Sequence, residues 1–203
     1  MEKNLQLERL VFFCDAVVAI ALTLLVFNLK LDHIIGAHLT FADLGGTWKQ
    51  FLAFFLSFLN IAVFWTIHHS FFAYIKQVDV KLLRYNLYWL FFIVTIPFTA
   101  SLVSSYFYDT PAVFIYSLNI FLVTLFQNQI WDYVAVRPEF LKEHIGQQTI
   151  YDYRLACNVA MVNALIAMVV SFYSPPIAFN LLFLRLPMIA IAGKIFKRKD
   201  KKT

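Results

Sequence analysis

Charged residues are scarce in this sequence, since Asp, Glu, Lys and Arg make up only 14% of its 203 residues. Soluble domains carry roughly 25%, so the composition excludes an ordinary soluble protein. Hydrophobic residues supply 61% of the chain, which predicts an integral membrane protein. About six spans of about 20 residues would use more than half of the chain. We therefore expect one domain over residues 1–203, with no soluble catalytic module attached.

Cysteine and glycine are also few. The two cysteines, Cys14 and Cys157, fall in or beside apolar segments and make no disulfide framework. The five glycines, together with a single proline inside the third apolar segment, Pro97, offer few of the helix breaks that form transporter binding sites. An enzyme needs a nucleophile with a base, a metal set or paired carboxylates. The apolar segments offer isolated Asp and scattered His residues instead, so an intramembrane enzyme is not expected.

Long apolar runs recur six times along the chain. A run such as residues 87–98 is continuous, whereas the strands of a membrane β-barrel would alternate over about ten residues. The sequence therefore predicts an all-α integral membrane protein with six transmembrane helices per chain. The predicted spans are residues 10–29, 51–74, 86–106, 112–134, 155–173 and 176–195.

Lysine and arginine fall mainly on one side of these spans. Fourteen lie in the N-terminal segment, in two alternate connections and in the C-terminal tail, against Lys30 and Lys49 alone on the other side. This asymmetry predicts a cell-membrane protein with both termini in the cytoplasm. The basic tail, which supplies much of the net charge of +5, indicates topology and contact with anionic lipid rather than nucleic-acid binding. Arg185 lies inside the last span without an obvious partner in the sequence.

The first apolar run contains a carboxylate, Asp15. An ionisable group inside a span costs several kcal/mol unless it is paired, so it marks a functional site or a polar joint between helices. At 100° per residue, Asp15 lies about 140° around the helix from Ile20. Two roles stay open for it, a structural joint and an ion-binding carboxylate. The candidate partners for a joint are His68, His69, Asn86, Arg9 and Arg84.

The other face of the same helix is apolar. It carries Phe13, Ile20, Leu24 and Phe27, which lie within about 40° of Ile20. Such a stripe lines an axis, touches lipid or packs against another helix, and the residues alone leave all three alternatives open.

His68, in the second span, lies on one face with Phe64 and Trp65. A buried histidine that is hydrogen-bonded to a partner helix accounts for this position without a ligand. No metal site is expected, because His68 and His69 project about 100° apart and no Cys or Glu accompanies them at ligand spacing.

The first helix also carries a recognisable motif, namely Arg9 followed by Phe13, Cys14 and Asp15. It resembles the R-x-x-x-F-S-D first helix of the prokaryotic relatives of the lysosomal potassium channel called transmembrane protein 175. Cys14 stands where that family has serine, and Cys is the weaker hydrogen-bond donor. Further matches to the family are Ala19, Ile20, Thr23, Leu24, Leu25, Trp65, His68, Arg84, Asn86, Pro97, Phe98 and Thr99.

The resemblance implies a potassium-preferring cation channel, a homotetramer in the bilayer whose four first helices surround a central axis. It implies a hydrophobic constriction at Ile20, with further layers at Thr23, Leu24 and Phe27. Potassium would be the permeant ion, and no cofactor is expected. The motif and its interhelical polar network would comprise Arg9, Phe13, Cys14, Asp15, Trp65, His68, Arg84 and Asn86.

The sequence has no Thr-Val-Gly-Tyr-Gly loop. Any selection among ions would therefore rest on something other than a filter of backbone carbonyls. A secondary transporter of a cation or a small solute is the alternative function.

Overall fold

The computed structural model describes residues 2–30, 38–142 and 145–184. Within these ranges the only β pairing is a single bridge between Ile75 and Leu141, so the predicted all-α class is confirmed. The described α-helices are α1 Glu2–Leu24, α2 Phe41–Gly46, α3 Trp48–Tyr74, α4 Val80–Ser105, α5 Thr110–Ala135, α6 Gln147–Val170 and α7 Pro175–Leu181. Short 3₁₀ helices follow at Leu25–Asn28, Pro138–Phe140 and Leu182–Leu184.

Five of the described helices are long and apolar enough to cross a bilayer. They are α1 with its 3₁₀ extension, α3, α4, α5 and α6, and they confirm five of the predicted spans. The sixth predicted span, 176–195, is described only as far as residue 184, where Pro175–Leu184 is a shorter apolar helix. The remainder of that span, Arg185 and the basic tail lie outside the described residues.

Three helices begin more than one turn before the predicted spans. α1 begins at Glu2 and its predicted span at residue 10, α4 begins at Val80 and its span at residue 86, and α6 begins at Gln147 and its span at residue 155. Hydropathy misses these first turns because charged and polar side chains interrupt their apolar residues, although their backbone is helical. Asp79 caps α4 by accepting a backbone hydrogen bond at 2.7 Å, and Arg154 in α6 pairs with Asp132 of α5 at 2.5 Å. Polar side chains thus hold these turns at the ends of the bundle.

The core of the bundle forms around α4 and α5, which pack on each other, while α6 packs on α5 and α1 packs on α3 and α4. Tyr116 of α5 is fully buried in this core. Its hydroxyl lies 3.0 Å from Ser57 Oγ and accepts a hydrogen bond from Asn60 Nδ2 at 3.2 Å. Polar groups of α3 and α5 therefore satisfy one another inside an apolar interior. α1 lies at the edge of this arrangement, which leaves part of its surface uncovered.

Candidate functional site

α1 buries one face and exposes the opposite one. Its buried side chains recur at spacings of three and four residues, which makes a helical stripe toward the core; they are Leu10, Cys14, Val18, Ala21 and Leu25. The predicted apolar stripe lies on the exposed side. Its exposed fractions are 52% for Phe13, 58% for Ile20, 42% for Leu24 and 70% for Phe27. Four large apolar side chains in one row are therefore open to lipid or to another protein chain.

Thr23 lies beside this stripe, and its side chain is exposed. Its hydroxyl donates to the Ile20 carbonyl of the preceding turn at 2.8 Å. The bond directs the hydroxyl proton to the backbone, so the oxygen keeps lone-pair capacity to accept from another group. Thr23 is thus a polar acceptor next to an apolar row.

Asp15 is joined to α3 by Trp65, which was not among the partners proposed from the sequence. The Trp65 indole Nε1 donates to Asp15 Oδ1 at 2.8 Å. The ring of His69 lies tilted by 32° against Trp65 with the centroids 5.3 Å apart, but no hydrogen bond links His69 to Asp15 among the described contacts. An indole is a donor only and a carboxyl oxygen accepts, so Trp65 supplies a hydrogen bond to Asp15 from another helix.

Asn86 links α3 to α1 through the interior. Its Oδ1 lies 2.7 Å from His68 Nε2, and its Nδ2 donates to Cys14 Sγ at 3.0 Å. An amide oxygen only accepts, so His68 Nε2 carries the proton in this contact. All three side chains are buried. Three helices therefore meet at one polar joint, in which Cys14 acts as an acceptor.

His68 is also held between two aromatic rings. Trp89 of α4 stacks on it with the ring centroids 4.0 Å apart and an interplanar angle of 11°, and Phe72 lies on it at 4.5 Å and 30°. Trp89 is fully buried, and its Nε1 has no hydrogen-bond partner among the described residues. Sequence reasoning did not assign Trp89 to the site. Its spacing of three residues after Asn86, on the same face of α4, was the available signal.

Arg9 and Arg84 do not join this network. Both side chains are exposed, and within the described part of the chain neither forms an ion pair or a hydrogen bond. Each lies near the start of its helix, so solvation can replace pairing of the charge. Phe13 of the first-helix motif also lies outside this network, because its side chain belongs to the exposed stripe of α1.

Asn28 lies at the end of the 3₁₀ helix that follows α1 and joins it to α4, a contact that sequence reasoning missed. Its Nδ2 donates to the carbonyl oxygen of Pro97 at 3.0 Å. Pro97 has no N–H and interrupts the hydrogen-bond ladder of its helix, yet α4 continues past it to Ser105. Nothing in the sequence linked an asparagine at the end of one apolar run to a proline inside another.

The chemistry of these residues does not indicate a resident metal. Among the described residues, no group of three or more His, Cys, Asp or Glu side chains could hold a metal ion. The arrangement provides one helix with an exposed apolar face. Hydrogen bonds of Asp15, Cys14 and Asn28 attach the helix to α3 and α4.

A family model described as the endosomal/lysosomal potassium channel TMEM175 matches residues 9–97. A potassium channel of Streptomyces collinus is 31% identical over 127 residues, which cover 61% of this chain and 62% of that protein, less than two thirds of its length. A potassium channel of Chamaesiphon minutus is 30% identical over 140 residues, which cover 66% of this chain and 69% of that protein.

The fold has a solved counterpart. The crystal structure of a lysosomal potassium-selective channel TMEM175 homolog from Chamaesiphon minutus matches with a TM-score of 0.79 at 23% identity, over 93% of this chain and 98% of that one. This match shows that the two chains share a fold. The family is shown by the sequence comparisons: the 30% identity to the Chamaesiphon minutus potassium channel extends over 69% of that protein, so the chain belongs to the TMEM175 family.

Proposed function

We propose that this chain is one subunit of a potassium-permeable channel, and that the exposed apolar face of α1 lines its ion pathway. The observation that carries the proposal is the division of α1 into a face closed by the core and a face with four large uncovered side chains. The relatives named as potassium channels support the choice of ion.

Four copies around one axis would place four Ile20 side chains in a ring, the symmetric arrangement that closed oligomers favour. A hydrophobic ring controls passage by excluding water. An ion that crosses it sheds part of its hydration shell, and this costs less for potassium than for sodium. Selectivity of this kind is modest. The mass of the detergent-solubilised complex tests the stoichiometry, and a monomer or dimer that conducts would overturn it.

Asp15 serves in this proposal as a joint and not as an ion ligand. Its carboxylate is engaged by Trp65, and it lies about 140° around α1 from Ile20. Selection of ions then rests on the apolar row, with Thr23 as a nearby acceptor. An Asp15→Asn variant that assembles normally and loses its cation preference would contradict this role.

The proposed orientation in the cell membrane has both termini in the cytoplasm. Single cysteines at Thr40 and Glu139, on a background without Cys14 and Cys157, test it with an impermeant thiol reagent on intact cells. Labelling is expected at position 40 alone. Labelling at position 139 alone would show that the orientation in the membrane is the opposite one.

Bi-ionic reversal potentials in liposomes or patches test the pathway itself. Ile20→Ala should widen the ring and weaken discrimination between potassium and sodium. Ile20→Asn should let water enter the ring and raise the ion flux. Leu22 is the matched control because it is half-buried against the core of its own chain. The same changes at Leu22 should alter stability and leave selectivity unchanged. If Leu22 variants change selectivity while Ile20 variants do not, the pathway follows another face.

A further inference from the structure

An open cleft lies between α1 and α3 at the end of the bundle where α1 begins and α3 ends. It encloses about 220 Å³. Three ionisable side chains, Glu8, His69 and Lys142, border it. The rest of its wall is apolar and consists of Leu7, Val11, Phe12, Phe72 and Ala73. An apolar cavity with charges of both signs at its border matches an amphiphile better than a soluble metabolite.

The backbone holds Lys142 at this cleft. Its amide donates to the Tyr74 carbonyl at 2.9 Å, and the Lys76 amide donates to the Phe140 carbonyl at 2.8 Å. Ile75 and Leu141 form the bridge between these two bonds. The main chain at Lys142 is therefore fixed against the last turn of α3, while its side chain stays exposed.

The cleft lies at the depth where headgroups meet acyl chains. α3 has 27 residues and is therefore about 40 Å long, compared with a hydrocarbon core of about 30 Å. Its ends consequently reach the headgroup layer. His69 precedes the last residue of α3 by five positions, about 8 Å along the axis, so the cleft spans the boundary between the two layers.

The charges at the border are not matched to each other. Within the described part of the chain, neither Glu8 nor Lys142 forms an ion pair or a side-chain hydrogen bond. An anionic headgroup would suit Lys142 but would be repelled by Glu8. A quaternary ammonium headgroup would have no N–H to offer the carboxylate, whereas a primary ammonium would donate to it directly.

We propose that this cleft binds one phospholipid with a zwitterionic headgroup that carries a primary ammonium, such as phosphatidylethanolamine. The phosphate pairs with Lys142, the ammonium pairs with Glu8, and an acyl chain packs along Phe12 and Phe72. Glu8 belongs to α1 and Lys142 is fixed to the end of α3, so the headgroup bridges two helices. The bound lipid therefore stabilises the contact between α1 and the rest of its chain.

Binding of single lipids to the full chain in detergent, measured by native mass spectrometry, tests the site. Phosphatidylethanolamine, phosphatidylcholine and phosphatidylglycerol of identical acyl composition are compared, together with the shift in thermal unfolding that each produces. Phosphatidylethanolamine is expected to bind most tightly and to raise the unfolding temperature most. Equal effects of the three lipids, or a preference for phosphatidylglycerol, would overturn the proposal.

Charge-neutralising variants separate the two ends of the headgroup. Glu8→Gln should abolish the preference for phosphatidylethanolamine over phosphatidylcholine, and Lys142→Gln should weaken binding of both lipids. The matched controls are Glu139→Gln and Lys76→Gln, exposed charges at the same end of the bundle that do not line the cleft. The controls should bind like the wild type. A Glu8→Gln chain that keeps the native lipid preference would refute the assignment.

Discussion

Trp65 of α3 donates its indole N–H to a carboxylate oxygen of Asp15 in α1 across 2.8 Å. Trp65→Phe keeps an aromatic ring and removes only the donor. Because an unpaired carboxylate inside a span is costly, the variant should lose about 1–3 kcal/mol of stability. Thermal unfolding in detergent measures the loss. Asp15→Asn keeps an acceptor for the indole and should be milder, so equal effects of the two changes would argue against this bond as the source.

Cys14 accepts a hydrogen bond from the buried amide of Asn86. Cys14→Ser restores the residue type of the family motif and supplies an oxygen acceptor, so it should leave stability within about 1 kcal/mol of the wild type. Cys14→Ala leaves Asn86 Nδ2 unpaired and should cost about 1–3 kcal/mol. Denaturation of both variants under the same conditions checks the ordering. A serine variant less stable than the alanine variant would contradict the role of the sulfur as an acceptor.

Asp79, which precedes α4, makes stability depend on pH. Partial burial raises the pKa of the Asp79 carboxyl, but hydrogen bonds from the Tyr133 hydroxyl and the Leu82 amide outweigh that effect and hold the pKa below its ordinary value. A carboxyl whose pKa is lower in the folded state stabilises the fold above its unfolded pKa, and this contribution disappears as pH falls through the folded pKa. Asp79→Asn should therefore destabilise the protein near neutral pH and approach the wild type in strong acid.

Unfolding of both proteins across acidic and neutral pH measures this difference. Tyr133→Phe removes one of the donors to this carboxyl and should show the same trend with a smaller amplitude. A gap between Asp79→Asn and the wild type that widened toward low pH would have the opposite sign and would disprove the assignment.

Asn28 should anchor the 3₁₀ end of α1. Asn28→Ala removes the bond to the Pro97 carbonyl and should cost about 1 kcal/mol, with faster amide hydrogen exchange over residues 25–29. Asn180 offers a matched control, since its Nδ2 also donates to a proline carbonyl, that of Pro176, but within a single helix. Asn180→Ala should leave exchange at 25–29 unchanged. If both variants behave alike at that segment, the contact between helices does not hold it.

Sequence alone predicted the parts of the structure that depend on local pattern. The apolar runs located five spans, and helical phase separated the Ile20 face of α1 from the Asp15 face. Phase left open whether the Ile20 face lines an axis, touches lipid or packs against another helix. Phase does not say how far one helix is shifted along its neighbour. That shift brings Trp65, and not His68, level with Asp15, and it brings Asn28 level with Pro97.

Hydropathy also failed to predict the helical residues whose side chains are polar or charged. The starts of α4 and α6 contain charged residues and are nevertheless helical: Asp79 caps α4, and Arg154 of α6 pairs with Asp132 of α5. A scale that scores apolar content starts a span after the charged residues, whereas the helical backbone already includes them. The helices α4 and α6 therefore begin earlier than the apolar runs that predicted them.

The uneven coverage of α1 has a consequence for biosynthesis. Its span has the highest mean hydropathy of the five, yet only 28% of its most apolar window is buried by its own chain, compared with 50% in α4 and α5. Lipid tails solvate the apolar surface of such a helix without help from neighbours, so insertion and docking are separable events. α1 can therefore enter the bilayer before the later spans are synthesised, but Asp15 then stays unpaired, at a cost, until α3 arrives with Trp65.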